Sequence, residues 1–239
     1  MGLAFARRGY VVFNISYRLA PAHPFPAALE DACSALGWVA EHAGSYGGDA
    51  SRLVLAGESA GANLVTSLAV VTSYPRSEPW ARAVWDSGLK PRAVVPACGM
   101  LQVSNPERFR QRWPHMKAFI NDRLLEVSEA YLEGSTSQAS ETMDLADPLV
   151  LLERGIQPER PLPPFFVPCG TKDPLIDDSQ RLAVALEQLG VEHEAKYYPG
   201  EVHAFHAMIW RRNARRCWAH TFSFLERQGV EGARAAGRG

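Results

Sequence analysis

The chain has 239 residues, 46% of them hydrophobic and 21% charged, which suits one large apolar core and excludes a chain disordered by composition. A formal net charge of -1 excludes a global field that would draw in nucleic acid or an anionic membrane, so a charged partner has to be recognised locally. Every long apolar run breaks off well short of a membrane span.

From the start, residues 1–9 lack a charged segment followed by an apolar stretch and a small-residue cleavage site, and Ala6 stands where a myristoylation motif wants Ser or Thr. The expected location is cytoplasmic. Residues 10–15 (Tyr-Val-Val-Phe-Asn-Ile) are a β-branched and aromatic run after Gly9, and they predict a buried strand. Phe25, Leu29, Cys33, Leu36 and Val39 recur at helical spacing until Gly44 and Gly47 break the pattern. A second strand is predicted at 53–56 and a helix at 60–71. A third strand follows at 93–96.

The polar, Trp- and Arg-bearing stretch 101–145 fits neither a strand nor one clean helix and reads as a small inserted cap. Strands are predicted at 165–168 and 194–198, separated by a helix carrying Leu175, Leu182, Leu186 and Leu189 and stopped by Gly190. The last helix presents Trp210, Ala214, Cys217, Trp218, Phe222 and Leu225 on one face, with a frayed tail expected after Gly229. Alternation of this kind predicts one α/β domain, a mostly parallel sheet with helices on both faces. No internal repeat is present.

The strand-to-helix turn at 57–61 reads Gly57-Glu58-Ser59-Ala60-Gly61. A tight turn there forces the serine into a strained conformation, with the flanking glycines removing side chains that would clash, and lifts its hydroxyl above the sheet. The following helix aims its N-terminal amides, Ala60 first, at an oxyanion formed on that serine. Serine needs a base, and the base needs a group to orient it. The expected order is Ser, acid, His, the last two on loops after later strands. Asp173, after the strand that leads to Cys169-Gly170, and His203, after the strand ending at Tyr198, satisfy that order.

Other groups compete. Asp147-Pro148-Leu149 repeats the local pattern of Asp173-Pro174-Leu175 but follows no strand, and Asp177 and Asp178 read as first-turn helix residues favoured by the dipole. His206 is the rival base, read otherwise as a helix N-terminal residue. No third ligand of suitable spacing joins His203 and His206, so no metal is expected. Cys33, Cys98, Cys169 and Cys217 lack the close pairings of zinc or redox motifs and read as buried thiols. The run 211–216 (Arg-Arg-Asn-Ala-Arg-Arg) reads as the solvated face of a helix, not a nucleic-acid patch.

These residues resemble the hormone-sensitive-lipase-like esterases of the α/β-hydrolase superfamily. Tyr17-Arg18-Leu19-Ala20-Pro21, His23 through Asp31, the elbow extended to Ala62-Asn63-Leu64, Asp173-Pro174-Leu175, and Gly200 through His203-Ala204-Phe205 carry the likeness, which runs from Gly9 to about residue 225. Glu58 and Ala62 depart mildly from the family's usual Asp and Gly. The resemblance implies an α/β-hydrolase fold and hydrolysis of small or medium-chain carboxylic esters through an acyl-enzyme, with no cofactor. Amide or lactone hydrolysis, or ligand binding by a catalytically impaired relative, are the alternatives.

One departure is serious. The family's His-Gly-Gly-Gly segment, which supplies most of the oxyanion hole, has no counterpart before Tyr10. In the family's sheet the strand preceding it lies between the strands matching 10–15 and 53–56, so a gap is expected there. An N-terminally truncated fold and weak activity follow as expectations, with Ala60 the one obvious oxyanion donor left. A late-assigned start is favoured over a degenerate remnant. The exposed last strand and terminal helix could pair two copies as a homodimer.

Overall fold

The computed structural model describes residues 1–133 and 140–233, the side chains of 140 and 141 excepted. Part of the predicted cap, 134–139, and the tail from 234 lie outside the described residues. Four strands form one parallel sheet in the order β1 (Val54–Glu58), β2 (Ala93–Ala97), β3 (Phe165–Gly170), β4 (His193–Tyr198). Strands predicted from 53, 93, 165 and 194 are therefore present, and β2 and β3 continue past Pro96 and Pro168.

Alternation along the strands divides the core. Val94, Phe165 and Val167 face one layer with Leu29 and Leu36 of α2 (Ala27–His42), Leu64 and Leu68 of α3 (Ala60–Ser73) and Leu182 and Leu186 of α9 (Ile176–Gln188). Ala93, Val95 and Phe166 face the other, with Phe5 of α1 (Gly2–Ala6) and Phe222, Phe224 and Leu225 of α10 (Arg212–Arg227). Parallel strands covered on both faces have to be apolar throughout, and β2 and β3 are buried at every position. Two helices escape sequence periodicity because they are short: α4 (Pro79–Asp86) and α8 (Pro148–Glu153), each begun by a proline in its first turn. Between β2 and β3 also lie α5 (Glu107–Arg112), α6 (Ala118–Leu132) and α7 (Ser140–Met143), so the polar stretch is helical.

The predicted strand at 10–15 does not form. Residues 10–19 carry neither strand nor helix, and Val11, Val12, Ile15 and Leu19 are exposed. Among the described residues no backbone–backbone hydrogen bond involves residues 11–17. A cavity of about 550 Å³, lined by Tyr10 through Ile15 on one side and Leu53 through Ala56 on the other, separates the segment from the outer edge of β1. Strands pair at about 4.8 Å, so a β-prone run held across such a gap has nothing to ladder with. The gap expected in the sheet is thus observed.

The tail is also more ordered than expected as far as residue 233. Val230 is buried and its carbonyl accepts the Tyr10 hydroxyl at 2.8 Å, while the Ala233 amide donates to the Gly9 carbonyl at 3.0 Å. Both crossing points require glycine: a Cβ on Gly9 would stand 2.0 Å from the Ala233 carbonyl oxygen, and one on Gly232 would stand 1.9 Å from that of Arg8.

Candidate active site

The turn from β1 into α3 places Ser59 at φ 56° and ψ -114°, a conformation costing a non-glycine residue on the order of 1 to 3 kcal/mol. Two contacts hold it there. The Ser59 amide donates to the Ala97 carbonyl at the end of β2, at 3.0 Å, and the Ser59 carbonyl accepts from Ala62 and Asn63. The two elbow glycines do different work. A Cβ on Gly57 would lie 2.1 Å from the Gly61 carbonyl oxygen, so the turn closes only over a glycine, whereas a Cβ on Gly61 meets nothing within 4 Å. Ala60 is exposed at the first position of α3, where a helix amide has no intrahelical partner.

His203 and Asp173 come together. Because β3 and β4 pair in register from Phe165↔His193 to Gly170↔Tyr198, the loops that follow them leave the sheet side by side. His203 Nδ1 lies 2.9 Å from Asp173 Oδ2. Asp173 is fully buried and also accepts the Leu175 amide at 2.9 Å. Gly170 allows the approach: a Cβ there would stand 2.3 Å from the Glu201 carbonyl oxygen. Burial pushes the His203 imidazole down, but the hydrogen bond and charge of Asp173, helped by Glu58, win, and hold it above its ordinary value. With Nδ1 turned to a carboxylate, the neutral ring carries its proton there and leaves Nε2 free as a base. No hydrogen bond joins Ser59 Oγ to His203.

The competing carboxylates are each committed elsewhere. Asp147 begins α8 and accepts the Val103 amide at 2.5 Å, the Ser104 amide at 3.0 Å and the Ser104 hydroxyl. Asp178, fully buried, accepts the Leu101 amide at 2.9 Å and the Arg108 guanidinium at 2.7 Å, and burial raises it against that pairing. Asp177 binds Arg112. Asp178 is therefore more than a first-turn helix residue: it anchors the loop that enters the polar segment, a role that helix position alone does not reveal.

His206 differs from its expected place. It lies in a short 3₁₀ turn, Phe205–Ala207, is 2% exposed, and sets Nε2 2.9 Å from Glu58 Oε2. Burial pushes its imidazole down, but the Cys98 thiol and the Glu58 carboxylate beside it outweigh that and hold it up at about 9. Sequence reasoning missed this pair. The signals were an acid at the second elbow position and a second histidine three residues past the base.

Cys98, Asp173 and His203 place ligand atoms within 4.8 Å of one another, and the Asp173 and His203 atoms of that cluster bond each other. All four cysteines are free and buried, as expected. Arg211, Arg212, Arg215 and Arg216 are exposed along α10, consistent with a solvated helix face.

A parallel α/β sheet with a strand-to-helix serine turn, a buried acid and a histidine at its C-terminal edge has the architecture of an α/β hydrolase. The chain belongs to that family: a model described as alpha/beta hydrolase fold matches residues 3–207. Over 82% of its length the chain is 33% identical to carboxylesterase NlhH of Mycobacterium tuberculosis, of which this covers 56%, and at 30% identity it covers 55% of esterase LipI from the same species, again with 82% of its own length. Among solved structures, esterase LipW of Mycobacterium marinum superposes with a TM-score of 0.71 at 28% identity, over 90% of this chain and 62% of that one. An esterase of the bacterial hormone-sensitive lipase family superposes at 0.66 and 26%, over 89% and 64%. The chain thus spans little more than half the length of the curated relatives it matches. No helix among the described residues is long and apolar enough to cross a membrane.

Proposed function

We propose that the chain carries the catalytic machinery of a serine carboxylic ester hydrolase. Ser59 Oγ attacks the ester carbonyl carbon while His203 Nε2 takes its proton, and Asp173 holds the imidazole and stabilises its cationic form. The alcohol departs with the proton from His203, leaving an acyl-enzyme on Ser59. Water then gives a proton to the same nitrogen and attacks the acyl carbon, and His203 returns that proton to Ser59 Oγ as the acid leaves. The Ala60 amide donates to the oxyanion. The observation that carries this reading is the buried Asp173 carboxylate on His203 Nδ1, at the sheet edge where the Ser59 elbow stands. Relatives named carboxylesterase and esterase support it, and the proposed substrates are carboxylic esters with small or medium chains.

Residues 1–239 contain no His-Gly-Gly-Gly segment. This reading needs a second oxyanion donor besides the Ala60 amide, and residues 101–145 are taken as a small cap. One missing donor costs about a hundredfold to a thousandfold in rate. Supplying a strand and Gly-rich loop ahead of Met1 should raise kcat/KM by that factor; equal turnover with and without it contradicts the assignment. A panel of esters, amides and lactones tests the reaction class, with esters expected to turn over fastest. Ligand binding without turnover is the second reading. It draws on the missing Ser59 to His203 hydrogen bond and predicts no hydrolysis of any of the three. A cytoplasmic location and a homodimer built on the β4 edge and α10 complete the proposal; a monomer by sedimentation contradicts the latter.

A further inference from the structure

Glu58 is the last residue of β1 and precedes Ser59; His206 follows His203 by three residues. The 2.9 Å contact between Glu58 Oε2 and His206 Nε2 therefore ties the elbow to the loop that carries the base, across 148 positions of chain (206 minus 58). The contact is short yet outside hydrogen-bond alignment; with His206 held up at about 9 the two groups pair as ions, and neither ring nitrogen has a hydrogen-bond partner among the described residues. The rest of the turn is fixed. Trp218 Nε1 donates to the His206 carbonyl at 2.9 Å, and the imidazole stands edge-on between Phe205 and Trp218, with ring centroids 5.9 and 5.7 Å away.

An apolar ring would fill this space at lower cost, because a buried ion pair rarely repays its desolvation. The pair makes sense by what it joins. We propose that the Glu58–His206 ion pair is a positioning clamp that sets the separation of Ser59 and His203 and screens His203 from the Glu58 charge. This inference rests on the proposed roles of Ser59 and His203.

The charged and titratable groups facing the pair are few. His206 meets Glu58 from β1 and Cys98 from the end of β2; Glu58 feels His206, His203 and, further off, the Met1 ammonium; His203 feels Asp173 and Glu58. Cys98, fully buried at φ 50°, is itself coupled to Cys169 and Asp173. A cationic His206 cancels much of the Glu58 field at His203. Removing one partner therefore moves His203 in opposite directions. His206→Gln leaves Glu58 uncompensated and raises the His203 titration, whereas Glu58→Gln lowers it. A side chain that only fills space would produce neither shift.

The test is the second-order rate of fluorophosphonate capture by Ser59 across pH, in wild type, Glu58→Gln, His206→Gln and the double variant, with Tm measured for each. Capture needs no turnover. The clamp predicts a loss of about 10-fold or more in each single variant, since misplacement by an ångström costs on the order of a hundredfold. It also predicts acid limbs displaced to opposite sides of wild type, and a double variant no slower than the slower single. Where Gln at 58 lowers Tm too far, Glu58→Asp, which keeps the charge one methylene shorter, should slow capture without the downward displacement. Capture at wild-type rate with unmoved limbs overturns the clamp and leaves the esterase reading standing. A wild type that does not react at Ser59 overturns both.

Discussion

Asp173 Oδ2 and His203 Nδ1 stand 2.9 Å apart although 30 residues separate them, because β3 and β4 run parallel in register and release their loops at the same edge. In the proposed mechanism the contact leaves Nε2 as the base. It also sets the pH at which the base works, since Asp173 favours the cationic ring and holds His203 above the ordinary 6.5.

The base acts only when neutral, so kcat/KM should rise with pH through a limb lying above 6.5 and level off beyond it. Asp173→Asn removes the group that favours the cation, so the limb should move down in pH. The rate on the plateau should fall by about 10⁴-fold through the wrong tautomer. A pH profile of ester hydrolysis for the two proteins checks both signs.

Gly57→Ala should destabilise the fold by about 3 kcal/mol, because the new Cβ meets the Gly61 carbonyl oxygen and the adjoining backbone, which cannot swing aside as a side chain could. Gly61→Ala meets open space and should cost well under half of that. Urea denaturation of the two variants measures the difference, and equal losses would contradict the elbow geometry.

Most of this sheet was legible because β2 and β3 are fully buried apolar runs, β1 and β4 lie beside clear helical patterns, and the helical periods of α2, α3, α9 and α10 are long. The error at 10–15 is instructive. Its residues have strand propensity, but a strand is defined by its partner, and the partner side of this one is a cavity. The catalytic roles of Asp173 and His203 are part of the proposal, but that the two would meet was legible from their position after neighbouring strands. Glu58 with His206 and Asp178 with Arg108 were not, because burial and pairing across 148 (206 minus 58) and 70 positions leave no periodic mark.

Arg108→Ala removes the nearer of two cations from the fully buried Asp178 and leaves Arg181 3.6 Å away, so the loss should fall below the roughly 3 to 5 kcal/mol of a fully unpaired buried charge. Because Asp178 also holds the Leu101 and Gln102 amides, the loss should loosen the entry to α5. Amide exchange at residues 101–104 should quicken in Arg108→Ala and stay slow in β3.

The central claim is that Ser59 is the nucleophile and His203 its base. Intact-mass and peptide mapping after fluorophosphonate treatment tests it most directly, on wild type, Ser59→Ala and His203→Ala, all with Tm unchanged. The account predicts a single adduct on the peptide containing Ser59, none in Ser59→Ala, and capture slowed by orders of magnitude in His203→Ala. An undiminished adduct in Ser59→Ala, or wild-type capture without the imidazole, would contradict it.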